Sequence, residues 1–289
     1  MNIGFIGFGE AAYCISIGLR EEGISGIKAF DAIANHSTMG ILVKDRAREA
    51  EVLLLDEVYQ VVDQVDLLIV AVPSSFTLEI SRNIAGKLRP GQLYIDVSAS
   101  TPVAKQKIWD SIKESGALFV DAAMLGSLPL ERHKVPITAS GTGATVFRDL
   151  MAPYGMRITC LDAPAGAASA IKLVRSIYMK GIAALMFETL QAAAAYSIHA
   201  ELVESISTSM DGIPFKEHLE RLVIGTAIHA KRRADELKGS IQMLDECNLD
   251  AAMTIASKHK HEWLEEFHFN EIYAATKPSG YQEIIQRLK

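Results

Sequence analysis

Cysteine is scarce in this chain. Cys14, Cys160 and Cys247 are the only three, far apart and without a CxxC spacing. An odd, scattered set supports neither a disulfide framework nor a zinc site. Each reads as a partly buried free thiol, and a cytoplasmic setting is the expectation. Long apolar runs are also missing. The strongest, Leu67 to Val72, falls far short of the ~20 residues a membrane helix needs. The opening MNIGFIGFGE carries neither the basic segment nor the small-residue cleavage site of a secretory signal. Basic charge is in deficit: 29 Lys and Arg stand against 35 Asp and Glu, a net charge of −6. The densest basic cluster, Lys231-Arg232-Arg233, is followed at once by acids. That pattern argues against a nucleic-acid partner. The histidines show no ligand spacing: His259 and His261 would face different sides of a helix. No metal is expected.

The 289 residues are 49% apolar and 22% charged, an ordinary globular composition with room for two modest domains. The two halves differ in texture. Up to about residue 160, short apolar runs alternate with helical stretches: strands are expected at 2–6, 26–30, 51–55, 66–72, 92–97 and 117–120, and helices at 11–22, 74–88 and 101–115. Near-continuous apolar strands alternating with helices predict a parallel sheet covered on both faces. From Gly166 to about His199 there is no proline, and apolar residues recur at helical spacing. Further helices are expected near 200–210, 215–240 and 249–266. The predicted fold is an α/β Rossmann-type N-terminal domain (1–163) and an all-α C-terminal domain (164–289), joined by a long helix.

Gly7-Phe8-Gly9-Glu10-Ala11-Ala12 has the form GxGxxA, directly after the first apolar strand and at the start of a helix. Gly7 permits the tight turn, Gly9 lets backbone approach a pyrophosphate, and Ala12 allows close helix–strand packing. The helix N-terminus then faces the anion. Asp31, 24 residues after Gly7, follows the second strand. A carboxylate there can bond an adenosine ribose 2′-OH and would repel a 2′-phosphate, which favours NAD over NADP. The alternative is that Asp31 caps a loop. Val72 and Pro73, after the fourth strand, complete the expected cofactor border.

These motifs, in this order, resemble the β-hydroxyacid dehydrogenase and 6-phosphogluconate dehydrogenase superfamily. The likeness is strongest to its NAD-binding phosphogluconate dehydrogenase-like branch and covers nearly the whole chain. Asp96-Val97-Ser98-Ala99-Ser100-Thr101-Pro102 is similar to the family's D-x-S-[ST]-x-x-P, which implies that Ser98 lies near the nicotinamide ribose; Ala99 replaces the usual hydroxyl residue. Ser100 or Thr101 also reads as an N-cap ahead of Pro102. Phe119 to Ser127 resembles the family's D-A-P-V-S-G-G substrate segment, with Leu125 at the usual serine and Ser127 at the second glycine. The resemblance implies that Gly126 and Ser127 hold a substrate carboxylate.

Gly166 to Lys172 is similar to G-x-G-x-x-x-K, which makes Lys172 the counterpart of the catalytic lysine. Its neighbours Ala168, Ala170, Ile171, Leu173 and Val174 are apolar, and a partly buried ammonium has a lowered pKa suited to proton exchange. The family's asparagine four residues on is Ser176 here, on the same helical face. Lys180, a turn further, and His229, within Ala227–Arg233, are the remaining substrate candidates. The basic group at 229–233 also reads as a plain charged face with an Arg232–Glu236 pair.

The resemblance implies an NAD(P)-dependent oxidoreductase acting on a small, anionic hydroxy acid or its keto counterpart, with decarboxylation where the substrate is a 3-hydroxy acid. It further implies a homodimer. Two rivals stand beside it: an imine reductase, in which the lysine is usually absent, and a non-catalytic NAD(P)-binding sensor, to which the changes at Ala99, Leu125 and Ser176 point.

Overall fold

The computed structural model describes residues 1–289, which pack as two compact units, Met1–Ser176 and Ile177–Lys289. The first contains β1 (Ile3–Ile6), α1 (Glu10–Glu21), β2 (Lys28–Phe30), α2 (Met39–Glu49), β3 (Leu53–Leu54), α3 (Val58–Gln64), β4 (Leu67–Val70) and α4 (Thr77–Ile84). There follow β5 (Leu93–Asp96), α5 (Pro102–Ile112), β6 (Leu118–Met124), α6 (Leu128–Glu131), β7 (Ile137–Ser140), α7 (Ala144–Met151) and β8 (Ile158–Cys160). The first turns of α8 (Ala167–Tyr196) close the unit.

The strands form one sheet in the order β3-β2-β1-β4-β5-β6-β7-β8. The run β3 to β6 is parallel, with Gly4 beside Lys28 and Leu68, and Ile95 beside Val120. Alternate residues feed two separate cores. Ile3, Phe5, Leu67 and Ile69 point to one, Ile6, Leu68 and Val70 to the other. Period-two alternation of apolar residues on both faces is what reads in sequence as a continuous apolar strand. Each buried Leu, Ile or Phe contributes about 1.5–3 kcal/mol, so the two layers dominate the unit's stability.

The sequence pattern predicted a parallel sheet, and the structure corrects this at one edge. β7 runs antiparallel to β6, pairing Asp121 with Ser140, and β8 runs parallel to β7. β7 and β8 escape sequence reading because they are short and carry Thr138, Ser140 and Thr159 where an apolar run would be looked for.

The second unit is helical: the remainder of α8, then α9 (His199–Met210), α10 (Phe215–Ile228), α11 (Ala230–Glu246), α12 (Ala252–Glu265), α13 (Phe269–Ile272) and α14 (Tyr281–Arg287). The helix expected at 215–240 is two helices meeting at His229, where φ is −111° and ψ 27°. The hydrogen-bond pattern runs on through the break: His229 N–H donates to Gly225 and the His229 carbonyl accepts from Arg233. The apolar period therefore gives no sign of it. Glu188, buried on α8, caps α12 by accepting the N–H groups of Met253 at 2.8 Å and Thr254 at 2.9 Å. No helix is long and apolar enough to cross a membrane.

Candidate active site

The glycine turn sits at the carboxyl end of β1, where the sheet order reverses between β1 and β4. Ligands of open α/β sheets bind at that crevice. Gly7 has φ +85°, its N–H donates to the Phe30 carbonyl at 2.8 Å, and a Cβ on it would lie 2.6 Å from the Ala71 carbonyl oxygen. Only glycine meets both demands. Gly9 differs: it is the N-cap of α1, has no side-chain cap, and a Cβ there would meet nothing within 4 Å. The space in front of the first N–H groups of α1 is open to an anion. Ala12 is fully buried against the sheet, Ala11 is half-buried and Glu10 is exposed in the first turn. Val72 packs over Gly7, and Pro73 beside it is exposed.

Asp31 ties this turn to β2. Its Oδ2 accepts the Phe8 N–H at 2.7 Å and its Oδ1 accepts Ile33 N–H at 2.9 Å. Two of about four lone-pair sites are thus used, leaving acceptor capacity for a ribose diol. The loop-capping and ribose-binding readings of Asp31 are compatible. The residues present fit a dinucleotide.

Beyond β5 the structure reveals a buried polar node. The N-cap of α5 is Thr101, whose hydroxyl accepts Ala104 N–H at 3.2 Å. Ser98 and Ser100 turn inward, their hydroxyls 2.8 Å apart. Lys105 on α5, with no exposed surface, places Nζ 3.0 Å from the Asp96 carbonyl oxygen, 3.1 Å from Asp96 Oδ1 and 3.5 Å from Asp121 Oδ1. Asp121, on β6, also accepts Gly166 N–H at 3.1 Å, Ser169 N–H at 2.9 Å and the Ser169 hydroxyl at 2.7 Å. Ser140 accepts Ala168 N–H at 3.1 Å. Two strands therefore supply the cap of α8, satisfying donors that a helix start otherwise leaves open.

Lys172 lies one turn further along α8 and is half-buried. Burial and the nearby Lys105 charge lower its pKa below the ordinary lysine value, while Asp121 pulls it up. Of the apolar neighbours named from sequence, Ala168 is buried and Ala170 half-buried, whereas Ile171, Leu173 and Val174 are exposed. Lys105 and Asp121 of the node are near enough for their charges to act on Lys172. Ser176, on the same helix, is half-buried. Sequence reasoning gave no role to Lys105, Asp121 or Ser169; Asp121 and Ser169 lie inside the segments 119–127 and 166–172, whereas Lys105 lies outside every motif.

The loop after β6 departs from expectation. Gly126 and Ser127 are exposed, but Ser127 N–H, expected to receive a substrate carboxylate, donates to Glu131 at 3.1 Å. A Cβ on Gly126 would strike Glu131 Oε2, and Glu131 in turn pairs with Arg157. An internal carboxylate occupies that donor. Arg175 reaches the Leu125 carbonyl oxygen at 3.2 Å, linking α8 to the same loop. The first unit thus gathers the glycine turn, Asp31, Val72, Pro73, Ser98, Gly126, Ser127, Lys172 and Ser176. Lys180 and His229 belong to the second unit, both exposed. There Arg232 pairs with Glu236 one turn on, as a charged helix face would.

A sheet in this order with a glycine turn at its switch point defines a dinucleotide-binding protein of the Rossmann class. The profile of the NAD-binding domain of 6-phosphogluconate dehydrogenase matches residues 2–161, and the chain belongs to that family. Residues 193–264 match a domain of unknown function, DUF1932. A protein described as an uncharacterised 28.5 kDa protein from Methanothermus fervidus is 27% identical over 266 residues, covering 92% of this chain and all of that one. A conserved hypothetical protein from Sinorhizobium meliloti 1021 has a similar structure, with TM-score 0.63 and 25% identity, covering 100% of this chain and 95% of the other. A conserved protein whose structure is described as similar to 3-hydroxyacid dehydrogenases is 30% identical, with TM-score 0.62, covering 92% and 97%. An imine reductase from Bacillus cereus shares the fold at TM-score 0.74 and 14% identity, over 95% and 99%.

Proposed function

We propose that the protein is an NAD(P)-dependent oxidoreductase interconverting a small hydroxy acid and its keto counterpart, with Lys172 as general acid/base. The observation that supports this best is the half-buried Lys172 ammonium, its pKa lowered, on a helix whose start is pinned to the carboxyl ends of the strands. The bound dinucleotide supplies hydride exchange with a substrate carbon. The Gly7–Ala12 turn holds its pyrophosphate, Asp31 its adenosine ribose, and Val72, Pro73 and Ser98 border the nicotinamide half. Lys172 gives a proton to the carbonyl oxygen during reduction and removes it from the hydroxyl during oxidation. Ser176 hydrogen-bonds near the same oxygen. Ser127 N–H already donates to Glu131, so other donors must meet the substrate carboxylate. The chain acts as a homodimer in the cytoplasm; Ile177 and Phe187, 74% and 72% exposed on α8, are candidates for burial by a second copy.

The test has two arms. NADH and NADPH are titrated by nicotinamide fluorescence, with tighter NADH binding expected from Asp31. Hydroxy acids and keto acids are then screened for turnover, which Lys172→Ala should abolish while leaving nucleotide binding intact. Turnover that survives in the variant would remove Lys172 from the reaction. Oxidation of NAD(P)H by cyclic imines, with keto acids inert, would replace the reading by C=N reduction.

A further inference from the structure

We propose that Lys105 is a positioning residue for the reaction, its buried ammonium clamping Asp96 and Asp121 together so that Asp121 fixes the first turn of α8 and with it Lys172. The role assigned to Lys172 rests on the reading above; the clamp itself rests on geometry alone.

The argument begins with the cost of the arrangement. A lysine with no exposed surface is expensive unless its charge is met, and Lys105 meets two carboxylates and a carbonyl within 3.5 Å. Asp96 ends β5 and Asp121 lies beside it in register on β6. Two carboxylates side by side in a dry interior repel one another. The Lys105 ammonium, 3.1 Å from Asp96 and 3.5 Å from Asp121, offsets that repulsion. Asp121 is then free to present Oδ2 to the N–H groups of Gly166 and Ser169, and Oδ1 to the Ser169 hydroxyl. A charged acceptor is a far better helix cap than a neutral one. Position is thereby passed from α5 through two strands to the helix that carries Lys172. A bare structural role would be served equally by apolar packing of the same volume, which often costs nothing in stability.

The charge also reaches Lys172. The charged groups facing it from neighbouring elements are Lys105 of α5, which lowers its pKa, and Asp121 of β6, which raises it. Arg175 lies on its own helix. Lys105 therefore orients the helix and offsets the pull of Asp121 on the Lys172 proton. Without it, Lys172 faces a carboxylate alone and holds its proton more tightly.

The experiment uses the full chain without bound nucleotide. Lys105→Met leaves two buried carboxylates uncompensated and stands to unfold the protein, so the decisive variant is the double substitution Asp96→Asn with Lys105→Met. Lys172 is titrated by competitive acetic anhydride labelling read by mass spectrometry, and amide exchange is followed over residues 166–172. In the double variant the labelling midpoint of Lys172 should rise by about one pH unit, and exchange in that segment should quicken by about tenfold or more. An unchanged midpoint with unchanged exchange, in a double variant that folds, would overturn the clamp. Failure of the double variant to fold would show that the pair is needed for the fold itself, and would overturn the positioning role. Turnover is measured in parallel, with kcat expected to fall while nucleotide affinity holds. Full activity in Lys172→Ala would remove the catalytic reading and leave the labelling and exchange results to judge the clamp separately.

Discussion

Asp121 accepts the Ser169 N–H at 2.9 Å and the Ser169 hydroxyl at 2.7 Å, joining the middle of the sheet to the start of α8. The same carboxylate lies 3.5 Å from Lys105. Asp121→Asn removes the charge from both relationships. It leaves Lys105 with Asp96 alone and weakens the cap on Gly166 and Ser169. Breaking one side of a buried charge cluster costs about 3–5 kcal/mol, and the helix cap adds about 1 kcal/mol. Urea denaturation should show a loss of about that size. A loss below about 1 kcal/mol, the range of an exposed pair, would mean that the node is open to water.

Gly7 and Gly9 stand two residues apart and should respond oppositely to alanine. Gly7→Ala forces a side chain into φ +85° and against the Ala71 carbonyl. It should destabilise the fold by about 1–3 kcal/mol. Gly9→Ala meets no protein atom within 4 Å, so stability should stay within about 1 kcal/mol of the parent. Its new methyl would occupy the space the pyrophosphate needs, and NADH affinity should fall by about tenfold or more. Thermal denaturation and fluorescence titration of both variants check this. Loss of stability without loss of affinity in Gly9→Ala would move the cofactor away from this turn.

The turn was legible in the sequence because its chemistry is carried by consecutive residues, and backbone constraints leave a local trace. The apolar strands of the central sheet were legible for the same reason, being buried on both faces. Lys105 was not. Its partners lie 9 residues before it and 16 after it, on two different strands, and a lysine between Ala104 and Gln106 looks like any solvated helix position. The engagement of Ser127 N–H was hidden too, since a carboxylate four residues on caps a helix or waits for solvent with equal ease. The break at His229 left no mark because the hydrogen bonds bridge it. Whatever depended on contacts between distant segments had to come from the structure.

Lys172→Met separates proton transfer from folding. The ammonium is half-buried and its pKa is lowered chiefly by burial, so an unbranched apolar side chain of similar length should leave stability unchanged or slightly raised. Turnover should fall by about 10²–10⁴-fold, the usual contribution of a general acid/base. In the parent, the pH limb belonging to Lys172 should lie below the ordinary lysine value of about 10.4. Stopped-flow rates across pH give both numbers. A limb at or above that value would show that burial is relieved in the working enzyme.

His133 offers a pH test that does not involve the reaction. It sits on the turn after α6, is 2% exposed, and packs on α1, where a Cβ on Gly18 would lie 1.9 Å from His133 Nδ1. Burial lowers its pKa, and Lys134 beside it acts in the same direction; Glu22 just after α1, the Tyr154 backbone and Glu21 at the end of α1 pull it up without prevailing. With the folded pKa below the unfolded value of about 6.5, the unfolded chain binds the proton first as pH falls. Stability from this group is therefore complete above about 6.5 and declines below it, with a slope of at most about 1.4 kcal/mol per pH unit for one proton. His133→Met removes the titrating ring while keeping an apolar side chain that adapts to the pocket. Urea midpoints of the parent should drop between about pH 6.5 and 5, and those of the variant should drop less. Parallel curves would mean that carboxylates elsewhere carry the acid sensitivity, and that the His133 ring takes up its proton without leaving α1.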